Sequence, residues 1–417
     1  MPPAQGLVVK ERMRWRSGAG ALSAQWLSIL FTAAVSLALS VWLARRMEPS
    51  GFGHYAYLLN LGTLLALVQD AGLRTLLMRE LVASSPPLAA FTMTLPGFAR
   101  GHLLLVTVLL VVGSLALTPF GGDPALALAV LCFAAVTLSQ LVSVQLKAAG
   151  QWSREGRWHA AARVLSALSI AVAVSLFGAG PGVVFGAWAL GLLLAYGGLG
   201  QDLHDRPCWR PQLPLYRAAS SFFWIEVATC LYRRGDVVIL HGLVAPAEVG
   251  QYAAALRMFD GVLLLAAPLA LFFFRRLRLI RADAVAAQCL QRRSLLAATL
   301  AGVGLALGGL LLGPWVIGLL YGEAYALSAG SLVGWLFTAF VFALPNYVLT
   351  QAAVSLDRER CYLLGASLAA VSSLALNLLL VPRYGATGAA AALIATEAVL
   401  CAVLCAGLRL PRSSVSA

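Results

Sequence analysis

Apolar runs long enough to cross a bilayer recur along all 417 residues, and no other feature constrains the fold as much. A helix rises 1.5 Å per residue, so about 20 apolar residues cross the ~30 Å hydrocarbon core. By that ruler the sequence holds twelve candidate spans, near 22–44, 54–77, 101–120, 124–146, 158–178, 181–200, 218–241, 250–274, 294–318, 328–352, 361–381 and 387–408. In hydrocarbon every backbone polar group must be satisfied within the segment or a closed barrel. The alternating pattern of barrel strands is absent from these runs, so they read as helices. Sixty per cent of residues are hydrophobic and 11% charged, against about 25% charged in a soluble domain. The net charge of +13 does not point to nucleic acid, because the basic residues are dispersed over short loops. Seven cysteines and five histidines form no CxxC and no metal-ligand spacing, so neither a disulfide framework nor a metal or cofactor site is expected. The first run exceeds the 7–15-residue core of a signal peptide and reads as a retained helix.

Orientation follows from Lys and Arg in the loops. The N-terminal segment, the C-terminal segment and every second loop together hold twenty-two of them, and the opposite loops hold Arg45, Arg46 and Arg383 alone. That asymmetry predicts an even number of spans with both termini cytoplasmic. No outer loop exceeds about ten residues, which leaves no room for an extracytoplasmic catalytic domain and argues against an enzyme. The longest loop between the halves, Gln201–Leu215, is polar with three prolines and reads as a cytoplasmic linker.

An internal echo divides the chain. Pro49, Gly53, Tyr55 and Ala56 recur as Pro246, Gly250, Tyr252 and Ala253 at one constant offset, close to half the chain length. The echo predicts two similar halves, 1–200 and 216–417, joined by the linker at 201–215.

Five arginines lie inside the apolar runs: Arg74, Arg163, Arg233, Arg234 and Arg257. Five acids accompany them: Asp70, Glu226, Asp236, Asp260 and Glu397. An ionised group at the bilayer centre costs at least about 2.5–3.5 kcal/mol, so such groups usually line polar cavities. Arg74 lies near a cytoplasmic end with Asp70 one turn before it, a favourable structural pair. Arg233, Arg234 and Arg257 lie deeper, at similar depth in the outward part of the second half. A structural reading is open for them as well, since Asp236 follows Arg233 by three residues and Asp260 follows Arg257 by three.

The segment Leu43–Leu81 (LARRMEPSGFGHYAYLLNLGTLLALVQDAGLRTLLMREL) resembles the entry of bacterial polysaccharide repeat-unit flippases, the O-antigen and exopolysaccharide exporters. Leu231–Met258 resembles the start of their second lobe, and Tyr321–Tyr325 and Asn377–Glu397 their last third. The superfamily also contains lipid II flippases and multidrug antiporters, and a multidrug or cation antiporter is the alternative function. The resemblance implies an all-α polytopic membrane protein with two six-helix lobes, related by a pseudo-two-fold axis along the membrane normal, around a central cavity. It implies as substrate an oligosaccharide on undecaprenyl diphosphate, moved from the cytoplasmic to the outer leaflet of the bacterial inner membrane. Polysaccharide polymerase and glycosyltransferases are the protein partners to expect beside the lipid bilayer.

A guanidinium fork fits phosphate oxygens better than a point charge does. Arg233, Arg234 and Arg257 are therefore the candidate diphosphate-binding residues. Glu397 and Glu226 have no basic partner at helical spacing, and with Asp70, the acid of the first half, they are the candidates for ion coupling.

Overall fold

The structure, a computed structural model, describes residues 5–82, 88, 91, 93–199, 206–210, 212–280, 283–356 and 358–409. All its regular structure is helical: α1 (Gln5–Asp70), α2 (Leu73–Val82), α3 (Leu95–Ala116), α4 (Ala125–Ala148), α5 (Trp152–Phe177), α6 (Pro181–Leu199), α7 (Leu213–Leu243), α8 (Pro246–Ile280), α9 (Ala284–Tyr321), α10 (Glu323–Ala326), α11 (Ser328–Thr338), α12 (Phe340–Ser355) and α13 (Glu359–Arg409), with a short 3-10 turn at Thr118–Phe120. Eight stretches among the described residues are long and apolar enough to cross a membrane. Helices α7 and α8, which carry the deep arginines, are not among the eight.

Two of the eight contain a backbone break. Helix α13 has 51 residues, which would run to about 76 Å if straight, more than twice the hydrocarbon thickness. It breaks at Gly385 (φ 56°, ψ −136°), three residues after Pro382. The two arms fold back on each other: Arg358 donates to the Gly407 carbonyl at 2.7 Å, and Tyr362 packs in one cluster with Leu400 and Leu404. The sequence expected this hairpin as spans 361–381 and 387–408. The restart after Gly385 is capped at a distance, since the Glu248 carboxylate accepts from Ala386 N at 2.6 Å. Helix α1 breaks at Glu48 (φ 58°, ψ 169°), directly before Pro49. The pyrrolidine ring disfavours helical geometry in the residue before it.

One expected span needs correction. The run at 54–77 is not a continuous helix, because Ala71 and Gly72 have positive φ (48° and 73°) and separate α1 from α2. A Cβ on Gly72 would lie 2.6 Å from the Ala219 carbonyl oxygen, so the break is also a close backbone approach to α7.

By contact the chain falls into two compact units: Met1–Leu39 with Leu65–Glu226, and Ser40–Leu64 with Val227–Ala417. In the first unit, Leu76, Leu77, Leu95, Phe98, Leu141 and Leu215 form the buried core where α2, α3, α4 and α7 meet. Part of the linker is tied to α3, with Cys208 N donating to the Gly97 carbonyl at 2.9 Å. Linker residues 201–205 and 211 lie outside the described residues.

The second unit contains both copies of the repeated motif, in contact with each other. Each proline begins a helical segment, a place where its missing N–H costs nothing. Each glycine follows one turn later on the same face. A Cβ on Gly53 would lie 1.9 Å from the Pro246 carbonyl oxygen, and one on Gly250 would lie 1.9 Å from that of Pro49. The contact is reciprocal, so the motifs cross about a local two-fold. Small residues let membrane helices approach this closely.

Candidate functional site

Helix α7 ends at Leu243 and α8 starts at Pro246, a shorter connection than the one between the expected spans 218–241 and 250–274. The tight turn makes the two helices neighbours and brings the deep charges together. Their pairing differs from the expected one. Arg234 Nη1 reaches Asp260 Oδ2 at 2.8 Å, and Arg233 Nη2 lies 3.6 Å from Asp260 Oδ1. Arg257, one turn before Asp260 on α8, acts electrostatically on the same carboxylate and makes no ion pair among the described residues.

Asp236 does not pair with Arg233. Its carboxylate accepts from the Tyr252 hydroxyl and from Val237 N at 2.8 Å. Tyr252 belongs to the repeated motif and is fully buried, so packing of the motif claims Asp236 for itself. The consequence is a surplus of donors. Each guanidinium has five N–H groups, and one carboxylate shared by Arg233 and Arg234, with Arg257 a turn away, cannot accept them all.

Glu397, 7% exposed on the second arm of α13, accepts from the Tyr232 hydroxyl and, at 2.7 Å, from Asn346 Nδ2. Arg233 and Glu397 line one cavity of about 270 Å³, together with Tyr232, Asn346, Tyr347 and Tyr362. The sequence singled out Arg233 and Glu397 separately. The three tyrosines were missed; Tyr232 and Tyr347 carry a signal as polar aromatic residues inside apolar runs, and Tyr362, at the start of one, carries none.

In the first unit, Glu226 has the basic partner that its own helix lacks. Arg74 Nη2 donates to Glu226 Oε1 at 3.1 Å, and Thr75 Oγ1 donates to the same oxygen at 3.0 Å. Arg74 also donates to Gln140. The expected Asp70–Arg74 pair is therefore corrected: Asp70 Oδ1 accepts from the Arg74 backbone N at 3.3 Å, where α2 restarts, and the guanidinium goes elsewhere. A larger cavity of about 580 Å³ among α3, α4 and α6 is walled mainly by leucine and alanine and holds none of the predicted site residues.

The polysaccharide biosynthesis protein family matches residues 22–272. The chain belongs to that family. No curated relative matches the sequence itself. Among solved structures the chain is similar to the lipid II flippase MurJ in an inward closed conformation, with 12% identity and a TM-score of 0.74, covering 92% of this chain and 87% of that one. It is similar to an inward-facing multidrug resistance MATE family transporter of the MOP superfamily, with 12% identity, TM-score 0.71, and 93% and 97% coverage. A MOP superfamily transporter from Pyrococcus furiosus matches with 11% identity, TM-score 0.56, and 93% and 94% coverage. These likenesses give the fold: an all-α, multi-pass membrane protein.

Proposed function

We propose that this polysaccharide biosynthesis protein translocates undecaprenyl-diphosphate-linked oligosaccharide repeat units from the cytoplasmic to the outer leaflet of the bacterial inner membrane. The observation that carries the reading is the meeting of Arg233 and Arg234 at the single carboxylate of Asp260, with Arg257 one turn away on α8. Moving a diphosphate into hydrocarbon unpaired carries a cost of tens of kcal/mol. Surplus guanidinium donors held at depth replace part of its hydration. The same cluster disfavours a cationic drug, which sets the multidrug antiporter reading second. The deciding experiment reconstitutes the protein in vesicles with an undecaprenyl-diphosphate glycan and measures its appearance in the opposite leaflet; no protein-dependent movement would overturn the reading.

The proposed architecture is twelve spans in two lobes, 1–200 and 216–417, around a central cavity, with both termini cytoplasmic. Reporter fusions after Gly122, Ala245 and Tyr325 are expected to read outside, and fusions after Ser153, Arg206 and Arg281 inside. A single inversion across residues 201–215 would sink the two parallel lobes. Polymerase and glycosyltransferases of the same polysaccharide are the proposed partners.

Rapid movement of a charged headgroup calls for ion coupling, and Glu397 is the acid proposed for it. Among the described residues its carboxylate accepts hydrogen bonds from two neutral donors, Tyr232 and Asn346. Glu226 is already held by Arg74, and Asp70 caps α2, which places both behind Glu397. Glu397→Gln keeps the shape and removes the charge change. Its transport rate is expected to lose all response to an imposed pH gradient, whereas Glu226→Gln keeps the response. An unaltered response in Glu397→Gln would make that acid structural.

A further inference from the structure

Asn346 has an acceptor that the transport reading leaves unused. Its Nδ2 donates to Glu397 Oε2 at 2.7 Å and to the Glu397 carbonyl oxygen at 2.9 Å. Both partners are acceptors, so the amide has one orientation only, and Oδ1 is the atom left over. Asn346 is 3% exposed, and Oδ1 has no hydrogen-bond partner among the described residues. A buried acceptor without a donor is costly, and a ligand donor relieves that cost.

The surrounding cavity says which donor fits. At about 270 Å³ it far exceeds an ion or the ~30 Å³ share of one water, and stands at the small end of ligand pockets. That is room for one ring rather than an oligosaccharide. Tyr232, Tyr347 and Tyr362 supply flat apolar faces with hydroxyl edges, and Thr350 and Gln351 add donors and acceptors. Arg233 lines the same space, and its fixed positive charge opposes a bare cation there. Ring faces, amides and a carboxylate within hydrogen-bond reach are the chemistry that recognises a sugar.

We propose that this cavity is a subsite for one sugar residue of the translocated glycan, with a sugar hydroxyl donating to Asn346 Oδ1. The proposal rests on the flippase reading above and extends it from the diphosphate to the glycan. Arg233 stands at both places, next to Asp260 and in the cavity wall, so headgroup and first sugar would be held side by side.

Saturation-transfer NMR on the full chain in nanodiscs tests this, with the methyl glycosides of glucose, galactose, mannose and N-acetylglucosamine as probes. At least one glycoside is expected to bind. Its dissociation constant is expected to rise about tenfold or more in Asn346→Ala, the scale of one lost hydrogen bond. Tyr362→Leu, which keeps both Glu397 hydrogen bonds, is expected to weaken binding as well. Absence of binding by all four glycosides, or equal binding by both variants and the parent protein, overturns the subsite. Displacement of the glycoside by sodium chloride but not by potassium chloride would mark a cation site and overturn it too. Vesicle transport of an undecaprenyl-diphosphate glycan separates the two readings. Transport without glycoside binding overturns the subsite alone, and glycoside binding without transport overturns the flippase reading alone.

Discussion

Arg233→Ala and Arg257→Ala are each expected to slow translocation of an undecaprenyl-diphosphate glycan by about 10- to 100-fold, with the protein still present in the membrane. A hydrogen bond to a charged group contributes about 1.5–3 kcal/mol, and each 1.36 kcal/mol is a factor of ten in rate. These two arginines are the loosely committed ones: Arg233 stands 3.6 Å from Asp260, and Arg257 forms no ion pair among the described residues. Lysine at either position keeps the charge and loses the fork, so partial transport is expected. Arg234 is different, because its 2.8 Å contact holds Asp260. Arg234→Ala leaves a partly buried acid poorly compensated and is expected to lower the amount of folded protein, and Arg234→Ala with Asp260→Ala to restore it. Vesicle transport and membrane protein level, measured on the same preparations, decide between the two roles. If the arginines only neutralise Asp260, then Arg233→Ala and Arg257→Ala disappear from the membrane, and adding Asp260→Ala restores both amount and transport. Restored transport in those double variants would falsify the diphosphate station.

Alanine at Gly53 or at Gly250 is expected to destabilise the protein by about 1–3 kcal/mol, the scale of overpacking a closely fitted contact. The new methyl would overlap a backbone carbonyl oxygen 1.9 Å away, and backbone cannot step aside as a side-chain tip can. Leucine at either position is expected to prevent accumulation of folded protein. The double alanine variant should cost less than the sum of the singles, because one separation of the helices relieves both overlaps. Gly304 is the control: it lies in α9 with no atom within 4 Å of an added Cβ. Alanine there reduces chain entropy and is expected to stabilise by about 0.5–1 kcal/mol. Denaturation of the purified variants measures all four. Equal behaviour of Gly53→Ala and Gly304→Ala would show that the motif crossing is not tight.

Sequence alone determined that this chain is a multi-pass helical membrane protein. The cost of exposing a backbone or a charge to hydrocarbon is set residue by residue, and runs of apolar residues report it directly. The connection between α7 and α8 was legible for a local reason too, since it falls between the expected spans 218–241 and 250–274 and Pro246 stands at a helix start, where proline is favoured. The repeat of Pro49–Ala56 at Pro246–Ala253 was visible as a pattern, but its meaning was not. Only packing shows that the two copies meet, glycine beneath carbonyl. The break at Ala71–Gly72 escaped because the apolar run continues through it, and Gly72 is required there by its approach to Ala219.

Charge partners were the least legible part. Spacing along one helix favoured Arg233 with Asp236 and Arg74 with Asp70. Tertiary structure gave Asp236 to Tyr252, the Arg74 guanidinium to Glu226 across 152 residues of chain, and Tyr232 to Glu397 across 165. Helical spacing offers each charge a neighbour at a few tenths of a kcal/mol. A buried charge demands more than that, and takes whichever donor or acceptor the packed helices bring within reach. Apolar periodicity fixes which segments enter the membrane, and only their packing decides which polar groups face each other inside it.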